Sequence, residues 1–190
     1  VRAQPAEAFV HSPSYFKLKP FNIACSSNAF ATLAVSFLMN LWVSAAIVLG
    51  TVVALEGLAW VVHRYLLHGP LWFLHRTHHE PQRGWFEAND LIALVYAVLS
   101  AGAVIWGDLH QHWVREVGFG IAAYGVLYFL LHDVVVHQRV RMPGWLRSYV
   151  QRDQGYLRRL VRAHKVHHKV ITREGSQAFG FLYAQRKFER

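Results

Sequence analysis

Residues 61–81 read "VVHRYLLHGPLWFLHRTHHEP", and this stretch decides the fold: an oily run enters it from one side, and five histidines follow within seventeen residues. From about Phe30 to Val62 the only charge is Glu56. At ~1.5 Å per residue, that run is longer than one crossing of a ~30 Å hydrocarbon layer requires. A membrane span is therefore expected at about Leu41–Val62, with the residues ahead of it forming either a tilted extension or a poorly formed extra span. At the other end His68 precedes Gly69-Pro70, a helix-stopping pair, which places His68 at the frayed end of that span.

Working outward, two further apolar runs cover Leu91–Gly107 and Val117–Val136, each close to the ~20 residues of a crossing helix. The short connection Asp108–Glu116 makes these two helices antiparallel neighbours. Of the 20 Lys and Arg, three lie between Arg64 and Asp90 and thirteen after Val136, whereas the Asp108–Glu116 connection holds only Arg115. The basic segments are expected on the cytoplasmic side, as in a multi-pass protein of a bacterial inner membrane. Composition agrees: 54% of the 190 residues are apolar and 14% aromatic, and mean hydropathy is +0.18. A net charge of +9 then suits anionic lipid headgroups or an acidic protein better than nucleic acid, because the oily runs exclude a soluble basic fold. The lone cysteine, Cys25, permits no internal disulfide, iron–sulfur cluster or Cys-ligated structural zinc and reads as a small apolar residue. Residues 1–38 form an N-terminal extension that is a poor signal peptide. The working domain is 39–190. "GFGIAAYG" from Gly118 lies inside an apolar run with no strand before it, so it reads as small-residue helix packing rather than a dinucleotide loop.

Ten of the thirteen histidines fall into four groups. They are His63 with His68, His75 with His78 and His79, His132 with His137, and His164 with His167 and His168. The spacing H-x4-H then H-x2-HH occurs twice. Offsets of 0, 3 and 4 on a helix place three rings within about 100° of arc, so one helix face can offer all three to a metal. An offset of five turns ~140° and splays the rings, so those pairs need a helix end, a kink or two ions to serve. Packing alone has no use for duplicate triplets beside the ends of spans. Metal ligation is expected for all ten, while His11, His110 and His112 read as interfacial anchors. Imidazole suits Zn, Cu, Fe and Ni. Ten ligands exceed the three or four that one zinc takes, so two ions are implied. Neither HExxH nor Glu-x-x-His pairs occur, and a histidine-held pair of redox irons is the favoured reading. The fold expected is thus an all-α membrane bundle of three to four spans with a cytoplasmic histidine-rich helical cap around a dimetal centre.

These residues carry a resemblance. Over about Ala45–Ala184 the chain resembles the carotenoid (β-carotene) 3-hydroxylases, of the fatty acid hydroxylase and sterol desaturase superfamily of membrane di-iron oxygenases. The matching stretches are "EGLAWVVHRYLLHGPLWFLHRTHHEP", "FEANDLIAL", "LHDVVVHQR", "RAHKVHHK" and "EGSQAFGFLYA". The histidine signature is shared across the superfamily, and the paired H-x4-H spacing, "HGPLW" and "FGFLYA" favour the carotenoid branch. The resemblance implies hydroxylation of C3 on the β-ionone rings, with O2 and electrons from a reduced ferredoxin-like donor. It also implies that the ten clustered histidines are the ligands of two irons. Electrons must come from outside, since the chain has no cluster cysteines, haem attachment or nucleotide loop. Arg158, Arg159, Arg162 and Lys165 could dock an acidic ferredoxin or contact lipid headgroups.

Further positions follow from chemistry. Glu56 lies seven residues before His63 on the same helix face, and an acid within a span marks a candidate orienting group. Asp133 can hydrogen-bond the His132 ring. Glu87, Asn89 and Asp90 read as a helix cap, and Trp60, Trp72, Phe73 and Trp85 as an aromatic interface belt. A related lipid oxygenase, such as a ketolase, desaturase, or fatty acid or sterol hydroxylase, is the nearest competitor. A histidine-rich metal carrier is a distant one, because its ligands should be spread through several spans. Oligomeric state is not legible.

Overall fold

In a hydrocarbon layer every backbone N–H and C=O must find its partner within the chain, so apolar runs of this length become helices. The computed structural model describes residues 23–80, 84–152 and 155–189, with side chains from Met39 onward. His11 and the first part of the expected N-terminal extension lie outside them. The compact unit that holds the spans and the cap begins at Asn40. Helix α1 covers Ile23–Val61 and runs directly into a π-helical turn, π1, at Val62–Leu67. A short helix α2 (Trp72–His79) follows, then α3 (Asp90–Leu109) and α4 (Val114–Tyr128), which leads into a second π turn, π2 (Phe129–Val136). Beyond it lie α5 (Gly144–Arg152), α6 (Tyr156–His168) and a single 3-10 turn at Arg186–Phe188, and no strand occurs among the described residues.

Three helical stretches are long and apolar enough to cross a bilayer: Met39–Leu67, Asp90–Leu109 and Val114–Val136. The first is longer than expected, because the helical path continues past Val62 through π1. Their outer faces carry large apolar side chains such as Trp42, Leu49, Val53, Leu94 and Val98, all exposed, as lipid-facing surfaces require. The chain reverses between α3 and α4 through a tight turn with Gln111 at φ 51°. There the α4 backbone crosses so near that a Cβ on Gly107 would lie 2.2 Å from the Arg115 nitrogen. The glycines after it act as the sequence suggests. A Cβ on Gly118 would lie 2.7 Å from Val104, and one on Gly120 would lie 2.5 Å from Thr51, so α4 approaches both other spans backbone-first. Ser100 adds a bond from its hydroxyl to the Gly118 carbonyl (2.8 Å).

At the other end α5, α6 and the C-terminal strap, residues 169–189, pack over π2. Leu160, Ala163, Ala184 and Phe188 form one apolar cluster there. Val134, Val135 and Met142 form another against Leu146, Val150 and Val161. At about 1.5–3 kcal/mol for each fully buried large apolar side chain, these clusters anchor the cap. Its centre is different in kind: the most deeply buried large side chains are His63, His75 and His167.

Candidate metal centre

Both H-x4-H pairs sit on π turns, which resolves the spacing that an α-helix could not satisfy. A π turn bonds residue i to i+5. Here those bonds join the paired histidines themselves: the His68 N–H donates to the His63 carbonyl (3.0 Å), and the His137 N–H donates to that of His132 (2.8 Å). The extra residue per turn brings two rings splayed in an α-helix onto one side. Gly69 permits the sharp exit after π1, since a Cβ there would lie 2.0 Å from the Tyr65 carbonyl oxygen.

The structure brings all ten clustered histidines together in two groups. In the first, the ring nitrogens of His63, His68, His75 and His167 converge within 4.8 Å of one another. His79 joins through a 3.2 Å contact with His75. In the second, His78, His137, His164 and His168 converge in the same way, and His132 joins at 3.1 Å from His78. Each H-x2-HH triplet, whose spacing can offer three rings to one metal, is divided between the two groups. His75 and His79 face the first group while His78, between them in sequence, faces the second. Likewise His164 and His168 face the second group and His167 the first. Each group thus takes a π-turn pair, an i,i+4 pair from one triplet and a single ring from the other.

The outer ring nitrogens explain why the inner ones are bare. Nδ1–H of His63 donates to the Phe179 carbonyl, that of His68 to Arg173, that of His79 to Val170 and that of His167 to Gln177. His75 donates to Asn89 Oδ1 (2.8 Å), His78 to Glu87 (2.9 Å) and His132 to Asp133 (2.7 Å). A neutral imidazole with its proton on Nδ1 presents only a lone pair at Nε2. Yet Nε2 atoms face each other at 2.9 Å in His63–His75 and 3.2 Å in His68–His167. No proton is left to lie between them. Lone pairs held this close call for a cation, and buried Nε2 of His168, which has no hydrogen-bond partner, points to the same need. Two nitrogens ~2.1 Å from one ion stand roughly 3.0–3.4 Å apart, so these spacings suit rings that share a cation. The residues fit a pair of redox metal ions.

Electrostatics keeps the rings in ligand form. Burial, and then the neighbouring rings, push the His75 pKa down to about 3, His137 to about 2 and His168 to about 3. His79 falls to about 4 for the same reasons. Burial raises Glu87 to about 7, against the opposing pull of Arg139.

Several supporting groups differ from expectation. Glu87 and Asn89 are not simply a helix cap, because they hold the His78 and His75 rings. Asp90 caps locally through the Glu87 N–H (2.9 Å) and also pairs with Arg139 at 2.8 Å. Glu56 does not touch His63. One of its carboxylate oxygens accepts the N–H groups of Phe181, Leu182 and Tyr183 (2.9–3.0 Å), and the other accepts the Tyr124 hydroxyl (2.9 Å). It thereby pins the strap whose Phe179 carbonyl orients His63. Gly180 lets the strap in, since a Cβ there would meet the carboxylate at 2.8 Å. Asp133 takes the place the sequence suggests. Trp72 is no belt residue: its ring packs 5.1 Å from His68 and 5.2 Å from His79. Phe73 and Trp85 are exposed. His110 stacks on Trp106 at the far connection. Sequence reasoning missed Phe181, whose ring stacks on His63 (5.1 Å) and meets His132 edge-on (5.3 Å), touching both groups. Its only sequence signal is its place within "FGFLYA".

Beneath the histidines an apolar cavity of about 570 Å³ opens among the spans, and His75, His78, His132 and Phe181 form its inner end. A histidine-rich metal centre at the head of an apolar membrane cavity defines a class, the membrane metalloenzymes that act on lipid-soluble substrates. The fatty acid hydroxylase family model matches residues 47–185, and the chain belongs to that family, one of di-iron enzymes. Similar proteins include a "Beta-carotene hydroxylase" of Pantoea ananas, 46% identical over 76% of this chain and 79% of that one. Another of that name, from Pseudescherichia vulneris, is 43% identical over 76% of this chain and 78% of its own length. "Beta-carotene 3-hydroxylase 2, chloroplastic" of Arabidopsis thaliana is 36% identical over 65% of this chain and 40% of its own. No solved structure matches.

Proposed function

We propose that this chain hydroxylates C3 of the β-ionone rings of β-carotene, giving β-cryptoxanthin and then zeaxanthin. Its working domain is residues 39–190. The observation that carries the reading is the pair of five-histidine groups closing the inner end of an apolar cavity, in a chain whose similar proteins bear that activity in their names. The balanced reaction consumes the substrate C–H, O2, two electrons and two protons, and yields the alcohol and water.

His63, His68, His75, His79 and His167 would hold one iron, and His78, His132, His137, His164 and His168 the other. Bound iron would supply the oxidising power to activate O2 and break an unactivated C–H bond, which side chains alone cannot do. The chain's own contribution is position and dryness. Carbonyls of the strap, with Asn89, Glu87 and Asp133, keep Nδ1 protonated and Nε2 aimed inward in seven of the ten rings. Phe181 and Tyr128, which stacks on His132 at 4.5 Å, form an apolar end wall that seats a ring against the metal side and keeps water out. Electrons come from a ferredoxin-like donor, with the cationic α6 surface around Arg158 and Lys165 its docking face. The basic cap faces the cytoplasm of a bacterial inner membrane, in line with the distribution of Lys and Arg.

The test is expression in cells that accumulate β-carotene, followed by pigment chromatography. Hydroxylated products should appear with the native chain and vanish with His167→Ala, a fully buried position. Unchanged pigment from a folded, iron-loaded chain would reject the substrate, and 4-keto or desaturated products would name a relative's chemistry instead.

A further inference from the structure

Two acids stand among the residues that line the apolar cavity, Asp90 at the start of α3 and Asp133 on π2. A carboxylate in such a wall is costly unless it is paired. One cation, Arg139, serves both. Its guanidinium donates to the two Asp90 oxygens (2.9 and 2.8 Å) and to the Trp85 carbonyl (2.7 Å), and it stands 3.7 Å from the Asp133 carboxylate. Arg139 arrives there because Gln138, in the left-handed region at φ 54°, ends π2. The Arg139 N–H then bonds back to the Asp133 carbonyl (2.9 Å), so backbone and side chain are both held. The two segments joined in this way are the ones that orient rings of the metal centre. Between Trp85 and Asp90, Glu87 holds His78 and Asn89 holds His75; on π2, Asp133 holds His132. A planar fork that grips two carboxylate oxygens at once resists rotation as well as separation, which an ammonium group does not.

We propose that Arg139 is a positioning residue for the metal centre: by clamping the segment from Trp85 to Asp90 onto π2, it sets the angle at which His78 and His132 meet the ion they share. It acts through Asp90, Asp133 and the Trp85 backbone, on the Glu87 and Asp133 carboxylates that orient the two rings. The inference rests on the metal reading of the ten histidines and is independent of the substrate.

The experiment compares the full native chain with Arg139→Lys, which keeps the charge but not the fork, and Arg139→Gln, which keeps neither. Each is purified in detergent, stripped of metal and titrated with Co(II), whose visible absorption depends on coordination geometry. Co(II) affinity should fall about 10–100-fold in both variants, and at saturating Co(II) their visible bands should differ from the native ones. A merely structural residue would lower the melting temperature and leave the saturated spectrum native, and that result overturns the proposal, as does native affinity. Arg139→Lys keeps the test standing if Arg139→Gln does not fold. A second readout needs no metal. In metal-free chain labelled with ¹⁵N-histidine, the Nδ1–H protons of His78 and His132, bonded to carboxylates at 2.9 and 2.7 Å, should resonate at low field and move upfield in both variants. If the native chain takes up no Co(II), the metal reading fails and these resonances decide the clamp by themselves: unmoved in the variants, they overturn it.

Discussion

Glu56 shows how a single side chain can govern a metal site that it does not touch. Its carboxylate gathers three successive backbone N–H groups of the strap and one tyrosine hydroxyl. Glu56→Ala leaves those donors without their acceptor, at about 1–3 kcal/mol for each one that is buried. The expected result is a lower melting temperature and, because Phe179 then fails to orient His63, a loss of metal affinity of about 10–100-fold. Glu56→Gln keeps an acceptor oxygen and should retain most of both. Iron per chain after dialysis at fixed free iron reads the difference, and equal affinities for the two variants would remove Glu56 from this role. The residue was legible as a candidate because an acid in a span is costly, but its target was not. Backbone carbonyls such as those of Phe179, Arg173, Val170 and Gln177 leave no mark in a sequence, since every residue has one. Glu87 and Asn89 were misread for a related reason: polar residues ahead of a helix are also the signature of a cap.

At the scale of elements, spacing marked both places where the π turns lie without naming them. Two histidines five apart are splayed on an α-helix, so the sequence left a helix end, a kink or two ions open, and the structure answers with a π turn at each. Removing the extra residue should undo it. Deletion of Tyr65, an exposed π1 residue, would return the turn to α-helical pairing and rotate His68 by ~100° relative to His63. Metal bound at the first group should fall by at least tenfold with helix content by circular dichroism unchanged; native iron content would show that the turn's register is immaterial. The partition of each triplet between two groups could not be read from spacing. It depends on where α2 and α6 lie against each other, which is a tertiary fact. Trp72 was misplaced for the same reason, since its packing on His68 and His79 follows from the fold of the turn before it.

The whole molecule inverts the usual order of a soluble domain, with apolar side chains outward and imidazoles at the centre of the cap. That inversion makes the metal-free chain sensitive to acid. In the folded state burial holds His75, His79, His137 and His168 neutral, with pKa values from about 2 to about 4. Unfolded, each takes a proton near its ordinary value of about 6.5. Below that value the unfolded chain binds more protons than the folded one, so stability is full above it and falls as pH drops toward 4. Each such histidine shifts the folding equilibrium by up to about tenfold per pH unit. Thermal melts of iron-free chain in detergent between pH 7.5 and 5 should show a falling midpoint, and a flat profile would mean that the rings are not buried neutral. The fold class and the three spans were legible throughout, because length and hydropathy alone decide them.

The exchange of single rings between the triplets ties the fate of one ion to that of the other. Neither α2 nor α6 can relax around an empty site without dragging a ligand away from its filled neighbour. Iron should therefore enter and leave in twos: titrated with substoichiometric Fe(II), the population should divide into chains carrying none and chains carrying a pair. Native mass spectrometry counts these species directly, and a dominant singly loaded form would show that the two halves of the centre fill independently.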